Sequence, residues 1–407
     1  VPQLNKLRTA LPGGLGGNTA PLSSARLRTA LTVFFALDGF LFAGWVVRIP
    51  AIKQQTGASA STLGLALLGV SAGAVVTMTL TGRLCHRFGS HAVTAACAVL
   101  LSLSIALPAQ THSALSLGLV LLVFGAAYGG MNVAMNSAAV DLVSALRRPV
   151  MPSFHAAFSL GGMLGAGLGG LVAGGLSPST HLLVLTGIGL LVTAFAGPVL
   201  LRHPAPVVPE AVNTPAAGRP GRLSGRARRV VLLFGVIALC TAYGEGALAD
   251  WGALHLEQDL HARPGVAAAG YSLFALAMTA GRLSGTVLLE RLGQTRTLVA
   301  GGATAAAGML LGSLAPTAWL ALLGFAVTGL GLANIFPVAV GRAGEVAGPG
   351  GVAAASTLGY GGMLLGPPAI GFLADWFSLP VALTTVAVLA GAAAVLGYGA
   401  RGAAQAR

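Results

Sequence analysis

The stretch HPAPVVPEAVNTPAAGRPGRLSGRARR, residues 203–229, holds five prolines and five arginines in a chain that is otherwise strongly apolar. Proline removes a backbone donor and clashes inside a helix, and arginine is costly in hydrocarbon, so the stretch reads as neither helix nor membrane span. On either side lie apolar runs broken by short polar punctuation, and the two sides echo each other. Arg87-Phe88-Gly89 returns 204 residues later as Arg291-Leu292-Gly293, and Gly161-Gly162-Met163-Leu164 returns 200 residues later as Gly361-Gly362-Met363-Leu364. This pattern predicts two parallel copies joined by a linker.

Composition names the solvent. Of 407 residues, 55% are hydrophobic and 8% charged, where a soluble domain carries roughly 25% charged residues. Mean hydropathy is +0.83. Ten acids are too few to solvate a globular surface of this size, so lipid is the expected surroundings. Sixty glycines suit the close helix–helix approach found in membranes. The apolar runs are continuous rather than alternating, which favours a helical bundle over a barrel.

Twelve runs are long enough to span. They fall near residues 28–49, 60–82, 91–109, 114–141, 150–175, 180–201, 230–255, 265–289, 296–314, 317–341, 351–374 and 379–400. The expected organisation is a tail (1–27), a six-helix bundle (28–202), the basic linker (203–229), a second six-helix bundle (230–402) and a short tail (403–407). Residues 1–24 have no apolar core of the kind a signal peptide needs. Of the 23 basic residues, only Arg48, Lys53 and Arg263 fall on the side opposite the linker. The positive-inside rule therefore puts both termini and the linker in the cytoplasm, in a plasma (inner) membrane protein. The net charge of +13 follows this topology rather than forming a nucleic-acid face. Cys85, Cys97 and Cys240 show no metal-type pairing, and no disulfide is expected.

The residues joining the second and third spans, Gly82-Arg83-Leu84-Cys85-His86-Arg87-Phe88-Gly89-Ser90-His91, resemble the signature loop of the major facilitator superfamily. His86 stands where that family has an acid, and Ser90 where it has a base. The acid helps latch the two halves in family members, which puts such a latch in doubt here. The echo GTVLLERLGQTR, residues 285–296, restores an acid at Glu290 beside Arg291 and Gly293. Two further stretches, Gly44-Trp45-Val46-Val47-Arg48-Ile49-Pro50 and Tyr243-Gly244-Glu245-Gly246 through Asp250-Trp251, resemble the fucose-permease-like group of bacterial inner-membrane permeases. The resemblance implies an all-α transporter of two pseudo-symmetric six-helix bundles around a central cavity. It covers about residues 25–402.

Ionisable groups inside a span cost roughly 2.5–3.5 kcal/mol on insertion scales, so each is a candidate for function or for interhelical pairing. Asp38 and Glu245 lie near the middle of the first and seventh spans and are candidates for substrate contact and proton coupling. Asp38 could instead hydrogen-bond between helices for packing, and Glu245 could instead pair with Arg48 or another residue near the outer end. Asp250 and Trp251 read as an interfacial anchor, with Asp250 also a candidate gate residue. Asn132 and Asn136 share a helical face with Tyr128, and Asn334 holds a corresponding place in the tenth span. These amides could read a polar solute or bridge helices. His155 and Ser159 share a face near the start of the fifth span, with His155 a candidate proton relay. Trp45, Tyr243, Tyr271 and Tyr360 could stack on a ring or simply pack. Gly161-x-x-x-Gly165-Ala166-x-x-Gly169-Gly170 resembles the antiporter motif of drug exporters, with Ala166 in place of proline; tight packing is the competing reading.

No Walker loop, zinc-protease motif or nucleophile elbow is present, which leaves an enzyme without chemistry to work with. The expectation is a monomeric secondary transporter for a small polar solute, sugar-like if the narrower resemblance holds. Protons and the bilayer are its other partners, with no cofactor, metal or nucleic acid. Proton-coupled efflux of amphipathic compounds and a non-transporting sensor are the alternatives.

Overall fold

The computed structural model describes residues 19–146, 150–202 and 225–401. In chain order the helices are α1 (Thr19–Val46), α2 (Ile49–Thr56), α3 (Ala60–Phe88), α4 (Ser90–Ser104), α5 (Ala114–Leu146), α6 (Met151–Ala173) and α7 (Pro178–Arg202). After the linker come α8 (Gly225–Leu254), α9 (Pro264–Leu283), α10 (Gly285–Ser313), α11 (Ala318–Leu332), α12 (Ile335–Trp376) and α13 (Leu379–Gly399). Residues 19–27 of the expected tail are helical, extending α1. Residues 225–229 of the expected linker open α8: its prolines lie upstream of this point, and Arg226, Arg228 and Arg229 are good helix formers. The remainder of the linker, 203–224, and the expected tail 403–407 lie outside the described residues.

Among the described residues, thirteen α-helices make twelve crossings. The short α2 was not anticipated; it starts at Ile49 with Pro50 in its first turn and is closed by Gly57, whose φ of 61° suits only glycine and a few polar residues. Helix α10 breaks at Gly293, with φ 75° and ψ 167°, so its first turns continue the eighth crossing and the rest is the ninth. Helix α12 runs 42 residues, yet it cannot be one straight rod. A β-carbon on Gly351 would collide with the carbonyl oxygen of Ala343. In a straight helix eight residues separate two positions by about 12 Å. The chain doubles back between the tenth and eleventh crossings, the former completed by α11 across a break at Asn334.

The internal repeat is visible in backbone and contacts. Gly89 ends α3 with φ 84° and ψ 144°, and Gly293 occupies the matching turn with φ 75°. Both conformations lie in a region that is essentially glycine's alone. At the same 204-residue offset, Ser90 Oγ donates to Asp141 at 3.4 Å, and Gln294 Nε2 donates to Glu345 at 3.3 Å.

Glycine brings the helices together in both halves. Gly161 and Gly165 of α6 lie against the backbone of Ala36 and Phe40 in α1, and Gly362 of α12 lies against that of Leu239 in α8. Hydroxyls within spans donate to carbonyls one turn back, as Thr94 does to Ser90 (2.7 Å) and Thr328 to Gly324 (2.8 Å). These hydroxyls are thereby satisfied without water, as hydrocarbon requires. Large apolar side chains face outward, among them Leu171 (82% exposed), Phe195 (78%) and Trp319 (74%). A water-soluble monomer rarely carries such a continuous apolar exterior. Among the described residues, ten helices are long and apolar enough to cross a membrane on length and composition alone.

Candidate functional site

The two halves meet around a cavity of about 300 Å³. Helices α1, α3, α5 and α6 supply one wall, and α8, α9 and α12 the other. Of the residues singled out in the sequence, Trp45, Tyr128, Asn132, Ser159, Glu245 and Tyr360 line it, as does Tyr271. One wall is a run of rings: Phe42 stacks on Tyr128 with centroids 5.0 Å apart, and Phe124 joins Tyr128 (6.4 Å) to Trp45 (6.2 Å). Ser159, Thr279 and Arg282 also line a second, wider cleft of about 920 Å³ that opens on the linker side. His155 and Asn334 belong to that vestibule rather than to the central cavity.

Four expected contact residues stand elsewhere. Asp38 is fully buried, with neither carboxylate oxygen hydrogen-bonded among the described residues. It faces neither lipid nor the cavity; its neighbour Gly39, a 100° step round the helix, and Phe42, one turn on, take the cavity face. Asn136 donates back to the carbonyl of Asn132 (2.8 Å) and approaches its Oδ1 (3.4 Å), so it orients Asn132 rather than facing a solute. Tyr243 is 6% exposed and shares a 3.0 Å hydrogen bond with Thr385 of α13. Asn334 donates to the carbonyl of Gly281 (2.8 Å), bridging the helix break to the end of α9. Each of these three side chains meets its polar partners within the helix bundle.

Two residues read differently from the sequence are part of the site. Asp250 was expected near the outer surface, but it lines the cavity. Trp251, paired with it as an interfacial anchor, is fully buried instead. Arg282 fell among the basic residues assigned to the linker side, yet its guanidinium reaches Glu245, with Nη2 3.4 Å from each carboxylate oxygen. Residues 245, 246, 249 and 250 all line the cavity, the one-turn spacing of a single helix face. At 100° per residue Asp250 stands 140° round the wheel from Glu245, and the lining residues Gly246 and Ala249 between them join the two acids into one broad face. The signature loop lies away from the cavity: Arg83, His86, Arg87, Glu290 and Arg291 are exposed at the linker side, and Gly82 has open space where a β-carbon would stand.

The opposite end is shut. Asp375 of α12 accepts hydrogen bonds from the backbone N–H groups of Ala60 (3.0 Å) and Ser61 (2.8 Å), capping α3 of the other half. Lys53 donates to Gln258 (3.0 Å) and Gln54 to Glu257 (3.4 Å). Deeper in, Gly64 packs on the Pro367 backbone, and Gly170 of α6 lies against Gly265 and Ala268 of α9. The cavity is thus sealed by inter-half contacts at one end and continuous with a vestibule at the other.

Comparison with known proteins agrees with this architecture. The family model for the Major Facilitator Superfamily matches twice, at residues 29–251 and 234–405. The chain is 34% identical over 375 residues to an uncharacterized MFS-type transporter of Yersinia pestis, covering 91% of this chain and 94% of that protein. It is 31% identical over 359 residues to the membrane protein MosC of Rhizobium meliloti, covering 87% and 85%. Among solved structures, the nucleoside transporter NupG superposes with a TM-score of 0.71 at 16% identity, over 94% of this chain and all of that one (100%). A bacterial homologue of the human lysosomal transporter Spinster, inward-facing and unoccupied, superposes with a TM-score of 0.75 at 14% identity, covering 94% and 98%. Likeness at such identity is one of fold. With the repeated family match, the twelve crossings and the cavity between halves, the chain belongs to the major facilitator superfamily: it is a membrane transporter, not an enzyme.

Proposed function

We propose that the protein moves a small polar organic solute across the inner membrane by alternating access, coupled to protons, with the linker side cytoplasmic. One observation carries the reading: both halves line a single cavity that is sealed at one end and open at the other. The sealing contacts are small-residue packing and a handful of hydrogen bonds, which a rigid-body rock of one bundle on the other can break and remake. The arginine-rich start of α8 supports the cytoplasmic assignment of the linker.

The cavity wall suits a compact solute with polar groups. Asn132 and Ser159 offer hydrogen bonds, while Trp45, Tyr128 and Tyr271 offer flat surface. Glu245 is the cavity-facing acid with a basic partner, so protonation would release Arg282 and change the charge seen by a solute. Asp38 sits buried in the bundle with neither carboxylate oxygen hydrogen-bonded among the described residues. In this reading Glu245 and Asp38 take the proton, and His155 stands in the vestibule on its route.

The test is flux. Purified protein is first screened by thermal shift against sugars, amino acids and nucleosides, since a ligand that prefers the folded state raises its melting point. A hit is then followed in liposomes under an inward proton gradient. Accumulation that Glu245→Gln or Asp38→Asn abolishes, with exchange between equal pools retained, supports the reading. Extrusion of solute would favour the efflux alternative, and binding without flux the sensor.

A further inference from the structure

The charged side chains lining the central cavity do not balance. Three face it: Glu245, Asp250 and Arg282. Glu245 and Arg282 compensate each other across α8 and α9 at 3.4 Å. Asp250 has no hydrogen-bond or ion-pair partner among the described residues, and it is only part-buried because its side chain is open to the cavity. The cavity therefore carries one acid in excess. An anionic solute would have to take Arg282 from Glu245, leaving two acids unpaired.

We propose that the cavity selects an organic cation, a protonated amine on a compact ring-bearing or hydroxylated body, with Asp250 as its counter-charge. This rests on the cavity being the substrate site. A carboxylate between low-dielectric walls attracts a cation far more strongly than one in water. The surroundings supply the rest of the recognition. Trp45, Tyr128 and Tyr271 line the same cavity, and the faces of such rings attract ammonium groups. Phe42, stacked on Tyr128, holds that ring in place. Asn132 and Ser159 lie on the opposite half from Asp250 and offer hydrogen bonds to hydroxyls on the body of the solute. A neutral sugar would satisfy the amide and the hydroxyl but leave the carboxylate unpaired, and desolvating an unpaired charge is penalised.

The experiment uses the purified full chain and pairs of probes that differ in one amine: glucosamine against glucose, and phenethylamine against 2-phenylethanol. The amine of at least one pair should raise the melting point by about 2 °C or more at saturation, with no shift from its neutral partner. Asp250→Asn should weaken amine binding by about tenfold or more, and Asp250→Glu should restore the preference. The melting point without probe reports whether each variant folds; should Asp250→Asn not fold, the probe pairs on the native chain and on Asp250→Glu decide. Equal stabilisation by amine and neutral partner, no stabilisation by either amine, or an undiminished amine preference in Asp250→Asn would overturn the proposal. Amine binding without flux in liposomes would sink the transport reading and leave this one standing.

Discussion

At Arg48 a guanidinium is withdrawn from water with no carboxylate to meet it among the described residues. It is 2% exposed; Nε donates to His181 Nδ1 (2.8 Å) and Nη1 to the Ala173 carbonyl (3.2 Å), while Nη2 is buried and unpartnered. Accepting at Nδ1 makes His181 the neutral tautomer protonated at Nε2. Removing the acceptor strands a charge; removing the charge strands little. His181→Leu should therefore cost about 3 kcal/mol of stability, Arg48→Leu distinctly less, and the double variant less than His181→Leu alone. Melting points of the four proteins decide it, and losses that simply add would show the pair is uncoupled. A second contrast concerns glycine. Gly161→Val drives a side chain into the Ala36 carbonyl and should cost about 3 kcal/mol or prevent folding, whereas Gly167→Ala meets nothing within 4 Å and should stabilise by about 0.5–1 kcal/mol. Within the glycine motif of α6, Gly161 and Gly165 serve contact with α1, while Gly170 meets α9 of the other half. Residue chemistry was legible in the sequence wherever a charge interrupts an apolar run. Direction was not. Asp38 and Gly39 are neighbours in the chain, but the 100° step between them separates bundle interior from cavity, and no composition signal carries that angle.

Helix boundaries were legible because twenty apolar residues announce a crossing. Breaks inside crossings were less so. Asn334, which ends one helix and begins the next, looked like a cavity amide; its role depends on the Gly281 carbonyl 53 residues away in the chain. The same holds for Asp375, which no motif singled out and which caps a helix of the other half. Desolvation pushes its carboxyl up, but hydrogen bonds from Ser61, Ser59 and the Ala60 N–H outweigh this and hold it below the ordinary value of 3.8. A depressed pKa stabilises the closed end fully above the ordinary value, and the stabilisation is lost as pH falls through the lowered one. The seal should thus be indifferent to pH between about 7 and 5 and loosen only below about 4. Asp375→Ala should weaken it at every pH, by about 1 kcal/mol, the usual worth of a cap. The readout is labelling of a single cysteine at Ala249, in protein lacking Cys85, Cys97 and Cys240, by an impermeant reagent applied from the sealed side. Labelling of the native seal that rises steadily from pH 7 to 5 would assign the control to another group.

The internal repeat made the twin-bundle fold legible before any coordinates, because a 204-residue echo of Arg-x-Gly can only be satisfied by two copies of the same turn. Which end of the cavity stands open was not legible, since an alternating protein must encode both arrangements in one chain. That ambiguity supplies the sharpest test of the whole molecule. A β-carbon built on Gly170 of α6 would stand 2.7 Å from Cβ of Ala268 in α9, and the two residues belong to opposite halves. A disulfide needs about 3.8 Å between β-carbons, so Gly170→Cys with Ala268→Cys should cross-link after the helices part by roughly an ångström. In a background free of native cysteines, oxidation should form the bridge in high yield, hold the sealed end shut and stop solute exchange between equal pools. Reductant should restore exchange. The vestibule face must stay reachable throughout, so a cysteine at Ser159, in protein whose bridge has already formed, should still be labelled from the linker side. If exchange continued at full rate through the cross-linked protein, the bundles would not need to part at this end, and the cavity would communicate with the far side by another path.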